Sequence, residues 1–304
     1  MNSPLLSVCL ITYNHAKYIR QAIDGVLMQK VNFEWELIIA DDCSKDDTRE
    51  ILLEYKEKYP DFIKLILQEK NVGAAKNWMD LITSPQSKYI AYFEGDDYWT
   101  DENKLQKQVD FLEKKPQYVG CFHNADIIEN GIAVARYHDW DTDRDIEPEQ
   151  IILRGGGIYP TASLVYRNVI KIKEADLKFY AGDTVLLLLL LDKGSFYYMH
   201  DNRCAYRKHI HGAFTSLRDN PVNRVDFLVN NILLYKYHRK HLNKRYSNYI
   251  NDAILVQVRR IYNIYGFYSK ESLIMFKHLS FKDIIRLFVF KIKSKYKKKH
   301  SKDI

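Results

Sequence analysis

The 304-residue sequence has few of the features that mark secreted, membrane-spanning or disordered proteins. Its four cysteines stand far apart without a CxxC pair, so neither a disulfide framework nor a zinc finger is indicated, and a reduced, cytoplasmic compartment is expected. The longest uncharged apolar run, residues 185–191, is far shorter than the roughly 20 residues of a membrane-spanning helix. No basic region precedes the N-terminal apolar stretch, so no signal peptide is expected.

Two common phosphate-binding motifs are also missing. The sequence contains no GxxxxGK[ST] loop, and its first apolar run is not followed by GxGxxG. These absences argue against P-loop nucleotidases and classical dinucleotide-binding enzymes. Without a glycine-rich cradle, a bound diphosphate would need a metal ion to neutralise its charge.

The net charge of +7 hides an uneven distribution. Residues 236–304 contain 18 lysines and arginines against 4 acidic residues, so the rest of the chain is acidic. Apolar and basic residues are mixed within residues 281–300, which favours a helix on an anionic membrane surface, where each basic residue contributes about 1 kcal/mol. A neutral surface or an oligomer contact is the next interpretation. Nucleic-acid binding is the least favoured, because the chain has no RNA- or DNA-binding motif.

Apolar runs alternate with amphipathic stretches through the first third of the chain. The runs predict strands at residues 5–12, 35–40, 62–67 and 88–94, with helices between them. Asp47, followed three residues later by Glu50, has the spacing of a capping box and predicts a helix start. This alternation is typical of an α/β fold with a mostly parallel sheet flanked by helices.

The middle and the end of the chain follow other patterns. Asn130-Gly131 predicts a hairpin turn, and Gly155-Gly156-Gly157 predicts a loop. The further predicted elements are strands at 162–166 and 196–199, a buried helix at 183–191, and long helices at 221–240 and 246–265.

Polar groups follow three of the four N-terminal strands: Thr12-Tyr13-Asn14, Asp41-Asp42 and Glu94-Gly95-Asp96-Asp97. Ligands of open α/β sheets bind outside the carboxyl ends of the strands, and crowded carboxylates favour a bound cation. Carboxylate oxygens suit Mg²⁺ or Mn²⁺ shared with a phosphate group. The alternative is that these acids cap the following helices. That role suits Asp47 better than Asp96 and Asp97, which lie between a glycine and Trp99.

Four ordered segments resemble glycosyltransferase family 2: SVCLITYNHAKYIRQAIDGVLMQ, ELIIADDCSKDDT, NVGAAKNW and FEGDDYWTDENKLQKQVDFL. The similarity is strong over about residues 4–125 and weaker over about 126–215. It implies a GT-A (Rossmann-like) domain at 1–215, with a nucleotide-sugar half and an acceptor half, followed by a basic helical extension at 216–304. It also implies inverting transfer from a nucleoside diphosphate sugar, UDP-linked, to a saccharide or lipid-linked saccharide in surface polysaccharide synthesis.

The resemblance further implies roles for individual residues. Those expected to bind the nucleotide sugar are Thr12, Tyr13, Asn14, Asp41, Asp42, Asn71, Gly73, Asn77, Glu94, Asp96 and Arg207. Mn²⁺ or Mg²⁺ is expected at Asp97, Asp96 and His209. Glu94 stands where the family often has aspartate. A structural role remains open for Asn71, Gly73 and Asn77.

Asp183 matches the position of the family's catalytic base. An inverting transfer needs such a base to take the proton of the acceptor hydroxyl. An aspartate at a helix start is also a good N-cap, and the two roles can coexist. Two other functions fit the sequence less well. A nucleotidyltransferase would have a glycine-rich loop with Arg and Lys after the first strand, and a non-catalytic sugar-nucleotide-binding or membrane scaffold would not need both Asp97 and Asp183.

Overall fold

The computed structural model describes residues 3–178, 182–209 and 221–266, and short stretches at 269, 272–273, 276, 279–282 and 284–287. The chain divides into two compact units, residues 1–212 and 213–304. The domain boundary expected at residue 215 lies outside the described residues. So do residue 283 and residues 288–300 of the basic segment.

In the described part of the first unit, ten strands form one mixed sheet. They are β1 (Leu6–Thr12), β2 (Trp35–Asp41), β3 (Ile63–Leu67), β4 (Tyr89–Glu94), β5 (Tyr98–Trp99), β6 (Tyr118–Glu129), β7 (Ile132–Arg136), β8 (Arg144–Ile146), β9 (Val165–Arg167) and β10 (Ser195–Lys208). Their order is β3-β2-β1-β4-β9-β6-β10-β5, with β7 beside β6 and β8 beside β10. Strands β1 to β4 run parallel, whereas β9 is antiparallel to both β4 and β6.

The helices described in this unit are α1 (Ile19–Leu27), α2 (Thr48–Lys58), α3 (Ala74–Thr83), α4 (Lys104–Lys114), α5 (Pro148–Arg154) and α6 (Gly182–Leu191). Helices α1 and α4 bury apolar residues three and four positions apart, which gives each of them one face toward the sheet. Helix α6 is apolar on nearly all sides and lies within the core. Among the described helices, none combines the length and hydropathy required to span a bilayer.

The predicted α/β fold is confirmed, and the four predicted N-terminal strands match β1 to β4 within one residue at each end. The predicted capping box is wrong. Asp47 does precede α2, but its side chain makes no capping hydrogen bond. Asp46 makes the cap instead: its Oδ1 accepts hydrogen bonds from the Thr48 backbone N–H at 3.1 Å and the Thr48 hydroxyl at 2.5 Å. Its Oδ2 accepts one from the Ala16 backbone N–H, so this carboxylate also holds the chain that follows β1.

The middle of the unit differs from its sequence pattern in three places. The strand predicted at 162–166 is wrong in its first part, where Thr161–Ser163 form a 3₁₀ turn, and only β9 at Val165–Arg167 is a strand. The Asn130-Gly131 turn is confirmed, since both residues have positive φ and β6 pairs with β7 around them. The expected glycine loop, however, is a turn of 3₁₀-helix at Gly155–Ile158. The strand predicted at 196–199 is only the start of β10, which continues to Lys208 because it pairs with β6 across several register shifts.

The second unit contains α7 (Pro221–His238) and α8 (Ser247–Tyr265), joined through a 3₁₀ turn at Lys244–Tyr246. The two helices pack against each other and bury Leu228, Ile232, Tyr235, Ile250, Ile254, Val258 and Ile261. They correspond to the helical patterns of the sequence. The role of the basic segment beyond them stays a prediction.

Candidate active site

The carboxyl ends of β1, β2 and β4 lie side by side at one edge of the sheet. In the strand pairing, Thr12 lies opposite Asp41 and Ile11 lies opposite Glu94. Parallel pairing therefore brings together the three polar groups that the sequence places after separate strands.

The turn formed by residues 94–97 carries three carboxyl groups and packs closely on the end of β1. A Cβ on Gly95 would lie 2.9 Å from Ile19 Cδ1, 3.0 Å from Thr12 Oγ1 and 3.1 Å from His15 Nδ1. These separations are shorter than ordinary Cβ contacts, so a larger residue would push the turn away. Glycine at position 95 thus allows the acidic turn to approach the end of the first strand.

Asp96 lies between two histidines. Its Oδ2 accepts a hydrogen bond from His209 Nε2 at 2.9 Å and lies 3.9 Å from His15 Nε2. Burial acts to raise the pKa of Asp96, but the hydrogen bond from His209 and the charge of His15 outweigh it and lower that pKa. The other oxygen, Oδ1, is buried without a hydrogen-bond partner in the described part of the chain.

Asp97 is anchored by the end of β10. Its Oδ1 accepts a hydrogen bond from the backbone N–H of Arg207 at 2.9 Å. Its Oδ2 is buried and has no partner among the described residues. Burial, together with the charges of Asp96 and Glu94, raises the pKa of Asp97 well above its usual range. A cation or a hydrogen-bond donor would therefore be stabilised beside this oxygen.

Glu94 links the acidic turn electrostatically to Asp183. Burial and the charges of Asp96 and Asp183 raise the pKa of Glu94 to about 8. A carboxyl group with such a pKa is mostly protonated at pH 7 and can donate a hydrogen bond. Glu94 is thus part of one buried acidic site with Asp96 and Asp183.

The guanidinium of Arg207 lies at the same site. It donates hydrogen bonds to the Asp96 backbone carbonyl and to Gln21 Oε1, and it lies 4.3 Å from the ring centre of Tyr98. Since these partners are neutral, no ion pair with a carboxylate takes up its charge within the described residues. A phosphate group is the usual partner of such an arginine.

The carboxylates of Asp41 and Asp42 both have partners within the protein. Asp41 forms an ion pair with Arg49 at 2.7 Å and accepts a hydrogen bond from the Ser44 backbone N–H. Asp42 accepts hydrogen bonds from the backbone N–H groups of Val72 at 2.7 Å and Gly73 at 3.0 Å. Asp42 therefore holds the segment that leads into α3.

The predicted residues of that segment make local contacts. Asn71 donates to the Asp42 carbonyl, and the buried Asn77 donates to the Ala40 carbonyl, each at 3.2 Å. Gly73 has a φ of 86°, a conformation that favours glycine, where the chain turns into α3. These contacts fasten α3 to β2.

Thr12, the last residue of β1, and the two residues after it lie at the same sheet edge. Thr12 is buried, and its hydroxyl lies 3.2 Å from His15 Nδ1. Tyr13 is exposed. Asn14 has a φ of 55° and accepts a hydrogen bond from the Lys45 backbone N–H.

Asp183 lies in the first turn of α6, and its Oδ1 accepts a hydrogen bond from the Thr184 backbone N–H at 2.6 Å. Burial raises the pKa of this carboxyl. Trp78 of α3 packs near Gly182, where a Cβ would lie 3.3 Å from the indole ring. The helix start thus adjoins α3, and the charge of Asp183 acts on Glu94 of the acidic turn.

Sequence reasoning missed two residues of the site. His15 carried only a weak signal, a polar residue directly after Thr12-Tyr13-Asn14. The second residue is Gly156. The three consecutive glycines predicted a loop, but they gave no sign that Gly156 lies against the carboxylate of Asp183.

The residues present fit a divalent cation shared with a substrate. Asp96 Oδ1, Asp97 Oδ2 and His209 Nδ1 are buried and lack hydrogen-bond partners among the described residues. No group of three His, Cys, Asp or Glu side chains within that part of the chain could hold a metal ion by itself. Mg²⁺ sites commonly use one or two carboxylates and complete their coordination with phosphate and water. A diphosphate would supply what this donor set lacks.

Residues 7–170 match the protein family described as Glycosyl transferase family 2. This range exceeds half of the chain. The chain belongs to this family. The matched range includes the ends of β1, β2 and β4 with their acidic residues, whereas Asp183, Arg207 and His209 lie beyond it.

Curated relatives share part of the chain. An uncharacterized protein of Mycobacterium tuberculosis is 34% identical over 212 residues, which are 69% of this chain and 61% of the relative. The UDP-Glc:alpha-D-GlcNAc-diphosphoundecaprenol beta-1,3-glucosyltransferase WfgD of Escherichia coli is 31% identical over 137 residues, 45% of this chain and 52% of WfgD. The chain therefore spans about three fifths or less of these relatives.

Solved structures share the fold at low sequence identity. S. aureus TarS 1-349 in complex with UDP-GlcNAc has a TM-score of 0.65 and 18% identity, over 89% of this chain and 78% of TarS 1-349. Mannosyltransferase PcManGT from Pyrobaculum calidifontis, in complex with GDP-Man and Mn²⁺, has a TM-score of 0.59 and 14% identity, over 99% of this chain and 83% of that enzyme. At these identities the similarity establishes the fold.

Proposed function

We propose that the protein is an inverting glycosyltransferase that uses a divalent cation. It transfers a sugar from a nucleoside diphosphate sugar, UDP-linked, to a saccharide or lipid-linked saccharide in cell-envelope polysaccharide synthesis. One observation carries the proposal. The buried acidic turn has, on each of Asp96 and Asp97, an oxygen without a hydrogen-bond partner among the described residues, and it shares its electrostatic environment with the buried carboxyl of Asp183.

The nucleoside would bind at the ends of β1 and β2. Asp41 and Asp42 use their carboxylates within the protein, so their main effect would be to shape this part of the site. Asp42 sets the position of the segment at 71–73, and Tyr13 offers an exposed ring directly after β1. The base and the ribose would then contact mainly backbone atoms, which Asp41 and Asp42 hold in position.

The diphosphate would lie against the acidic turn and Arg207. Asp96 Oδ1 and Asp97 Oδ2 are the oxygens that would hold Mn²⁺ or Mg²⁺ with it. His209, the third expected ligand, donates from Nε2 to Asp96 Oδ2, so it would orient that carboxylate instead. When bound, such a cation stabilises the negative charge that the leaving diphosphate gains. The guanidinium of Arg207, which has no carboxylate ion pair among the described residues, would bind a phosphate oxygen.

Asp183 would act as the general base. It would take the proton of the acceptor hydroxyl while that oxygen attacks C1 of the donor sugar and the bond from C1 to the diphosphate breaks. Attack from the face opposite the leaving group inverts the anomeric centre. Burial raises the pKa of Asp183, which makes its carboxylate a stronger proton acceptor than an exposed aspartate.

The comparisons support the proposed classes of donor and acceptor. WfgD is named for a UDP-glucose donor and a diphosphoundecaprenol-linked acceptor, and the TarS and PcManGT structures hold UDP-GlcNAc and GDP-Man with Mn²⁺. The same classes are proposed for this chain. The basic segment at 281–300 further suggests a cytoplasmic enzyme bound peripherally to the anionic inner face of the membrane.

Thermal unfolding with UDP, GDP, CDP or ADP, each with and without Mn²⁺, tests the proposal. A ligand at about 100 times its Kd stabilises the folded state by roughly 2.7 kcal/mol, a shift that is readily measured. We expect a shift with UDP that requires Mn²⁺. A shift with GDP alone would keep the mechanism and change the donor, and no shift with any nucleotide would contradict the donor site.

A further inference from the structure

The 3₁₀ turn at Gly155–Ile158 packs on the N-terminus of α6, next to the carboxylate of Asp183. The backbone N–H of Gly156 donates a hydrogen bond to Thr184 Oγ1 at 3.0 Å. A Cβ on Gly156 would overlap Asp183 Oδ2 at covalent-bond range and would lie 2.7 Å from Asp183 Oδ1. The space that any other side chain would fill is therefore occupied by the Asp183 carboxylate.

The three consecutive glycines have different surroundings. Gly155 has a φ of 56°, and a Cβ there would lie 2.7 Å from Thr184 Oγ1, so both its backbone and its neighbour favour glycine. Gly156 has no positive φ, and its nearest neighbours are three side-chain atoms of Asp183. A Cβ on Gly157 would meet nothing within 4 Å. Position 156 thus favours glycine because a side chain there would collide with Asp183, and not because of its backbone conformation.

We propose that Gly156 is a positioning residue for the base of the transfer reaction. The inference rests on the proposed function of Asp183. The Thr184 N–H holds Oδ1, and the bare α-carbon of Gly156 leaves room for Oδ2. Together they place the carboxylate in one orientation at the helix start. A methyl group at position 156 displaces the carboxylate, the turn or both.

Such a displacement reduces the rate of the chemical step more than it reduces donor binding. Misplacing a reacting group by about 1 Å can lower a rate by roughly 100-fold, because the bound geometry no longer favours attack. None of the three atoms nearest to such a Cβ belongs to the acidic turn or to Arg207. Gly156→Ala is therefore expected to change kcat and to leave the KM for the donor close to its original value.

Turnover of the UDP-sugar identified by a donor screen tests this, with Gly156→Ala and Gly157→Ala compared side by side. The second variant adds the same methyl group one residue further along the same turn, into open space. We expect kcat to fall at least tenfold in Gly156→Ala and less than twofold in Gly157→Ala, with the UDP-dependent thermal shift retained in both. Equal kcat values, or a change confined to the KM for the donor, would overturn the proposal.

A stability cycle tests the contact without any activity. Asp183→Ala removes all three atoms that a Cβ on Gly156 would meet first. Gly156→Ala is expected to lower the midpoint of thermal unfolding in the original chain and to have little effect in the Asp183→Ala background. The same loss in both backgrounds would contradict the contact. Should the chain bind no nucleotide, the proposed function fails while this cycle still decides whether Gly156 and Asp183 are coupled.

Discussion

Oδ1 of Asp97 accepts a hydrogen bond from the backbone N–H of Arg207, 110 residues further along the chain, at 2.9 Å. The contact joins the turn after β4 to the end of β10. It fixes one oxygen of the carboxylate and leaves Oδ2 buried without a partner among the described residues. The orientation of the Asp97 carboxylate, the proposed cation ligand, thus depends on β10, which lies far along the chain.

Asp97→Asn should abolish metal-dependent transfer while keeping the fold. Asparagine retains the oxygen that accepts the Arg207 N–H and removes the charge that a cation needs, so we expect turnover to fall by at least about 100-fold. The Mn²⁺-dependent thermal shift with UDP should also disappear. Asp110→Asn makes the same change on the exposed face of α4 and should alter neither result. Normal metal-dependent turnover by Asp97→Asn would refute the assignment.

Asp183→Asn should separate chemistry from donor binding. The amide oxygen can still accept the Thr184 N–H, but the side chain can no longer take a proton. General bases contribute roughly 10²- to 10⁴-fold to rates, so kcat should fall within that range while UDP binding, measured by calorimetry, stays unchanged. If kcat remains near its original value, another group is the base.

Gly95→Ala should weaken donor binding. The added methyl would lie about 3 Å from Thr12 Oγ1 and His15 Nδ1, so the acidic turn or these side chains must shift. We expect the Kd for UDP with Mn²⁺ to rise by roughly tenfold. Gly157→Ala serves as the control, and an unchanged Kd in Gly95→Ala would show that the close approach does not matter for binding.

Lys104 should make stability depend on pH. This lysine is fully buried, with Nζ 4.3 Å from the ring centre of Trp99 and 2.8 Å from Gln108 Oε1. Burial lowers its pKa to about 7 in the folded protein, whereas an unfolded lysine keeps a pKa near 10.5. Between these values the unfolded chain binds the extra proton, so Lys104 destabilises the fold below pH 7 and the penalty decreases as pH rises toward about 10.

Urea unfolding between pH 7 and pH 10 measures this effect through Lys104→Met. The variant should gain less stability than the original chain as pH rises, because it lacks the group whose penalty decreases. Lys107→Met removes a charge from the exposed face of the same helix, where Lys107 pairs with Asp101. It should leave the pH dependence unchanged. If the free energy of unfolding changes with pH equally in the original chain and in Lys104→Met, the lowered pKa of Lys104 is contradicted.

The basic C-terminal segment should bind anionic vesicles. Replacing Lys297, Lys298 and Lys299 with glutamine removes about 1 kcal/mol of attraction per residue near the surface, or roughly 100-fold in affinity. Co-sedimentation with phosphatidylglycerol vesicles measures the loss, with phosphatidylcholine vesicles as the control. Equal binding to both lipids would contradict the attraction by charge, and no binding to either would favour a role in protein contact.

The sequence determined the first half of the fold because its signals are local. Apolar runs of five to seven residues separated by amphipathic helices define β1 to β4 within one residue, and parallel pairing then brings their polar ends together. The motifs around Asp42, Asp96 and Asp97 also indicated the family. These features depend on residues close together in the chain, so their patterns can be read directly.

Tertiary structure decided which atoms of that site are free. Asp41-Asp42 and Asp96-Asp97 look alike in sequence. The first pair is satisfied by Arg49 and by backbone N–H groups, whereas each residue of the second pair keeps one oxygen without a partner in the described part of the chain. The partners of Asp97 and Asp183 lie 110 and 27 residues away along the chain, at Arg207 and Gly156. No local pattern encodes such contacts, because they arise only when elements that are distant in the chain pack against each other.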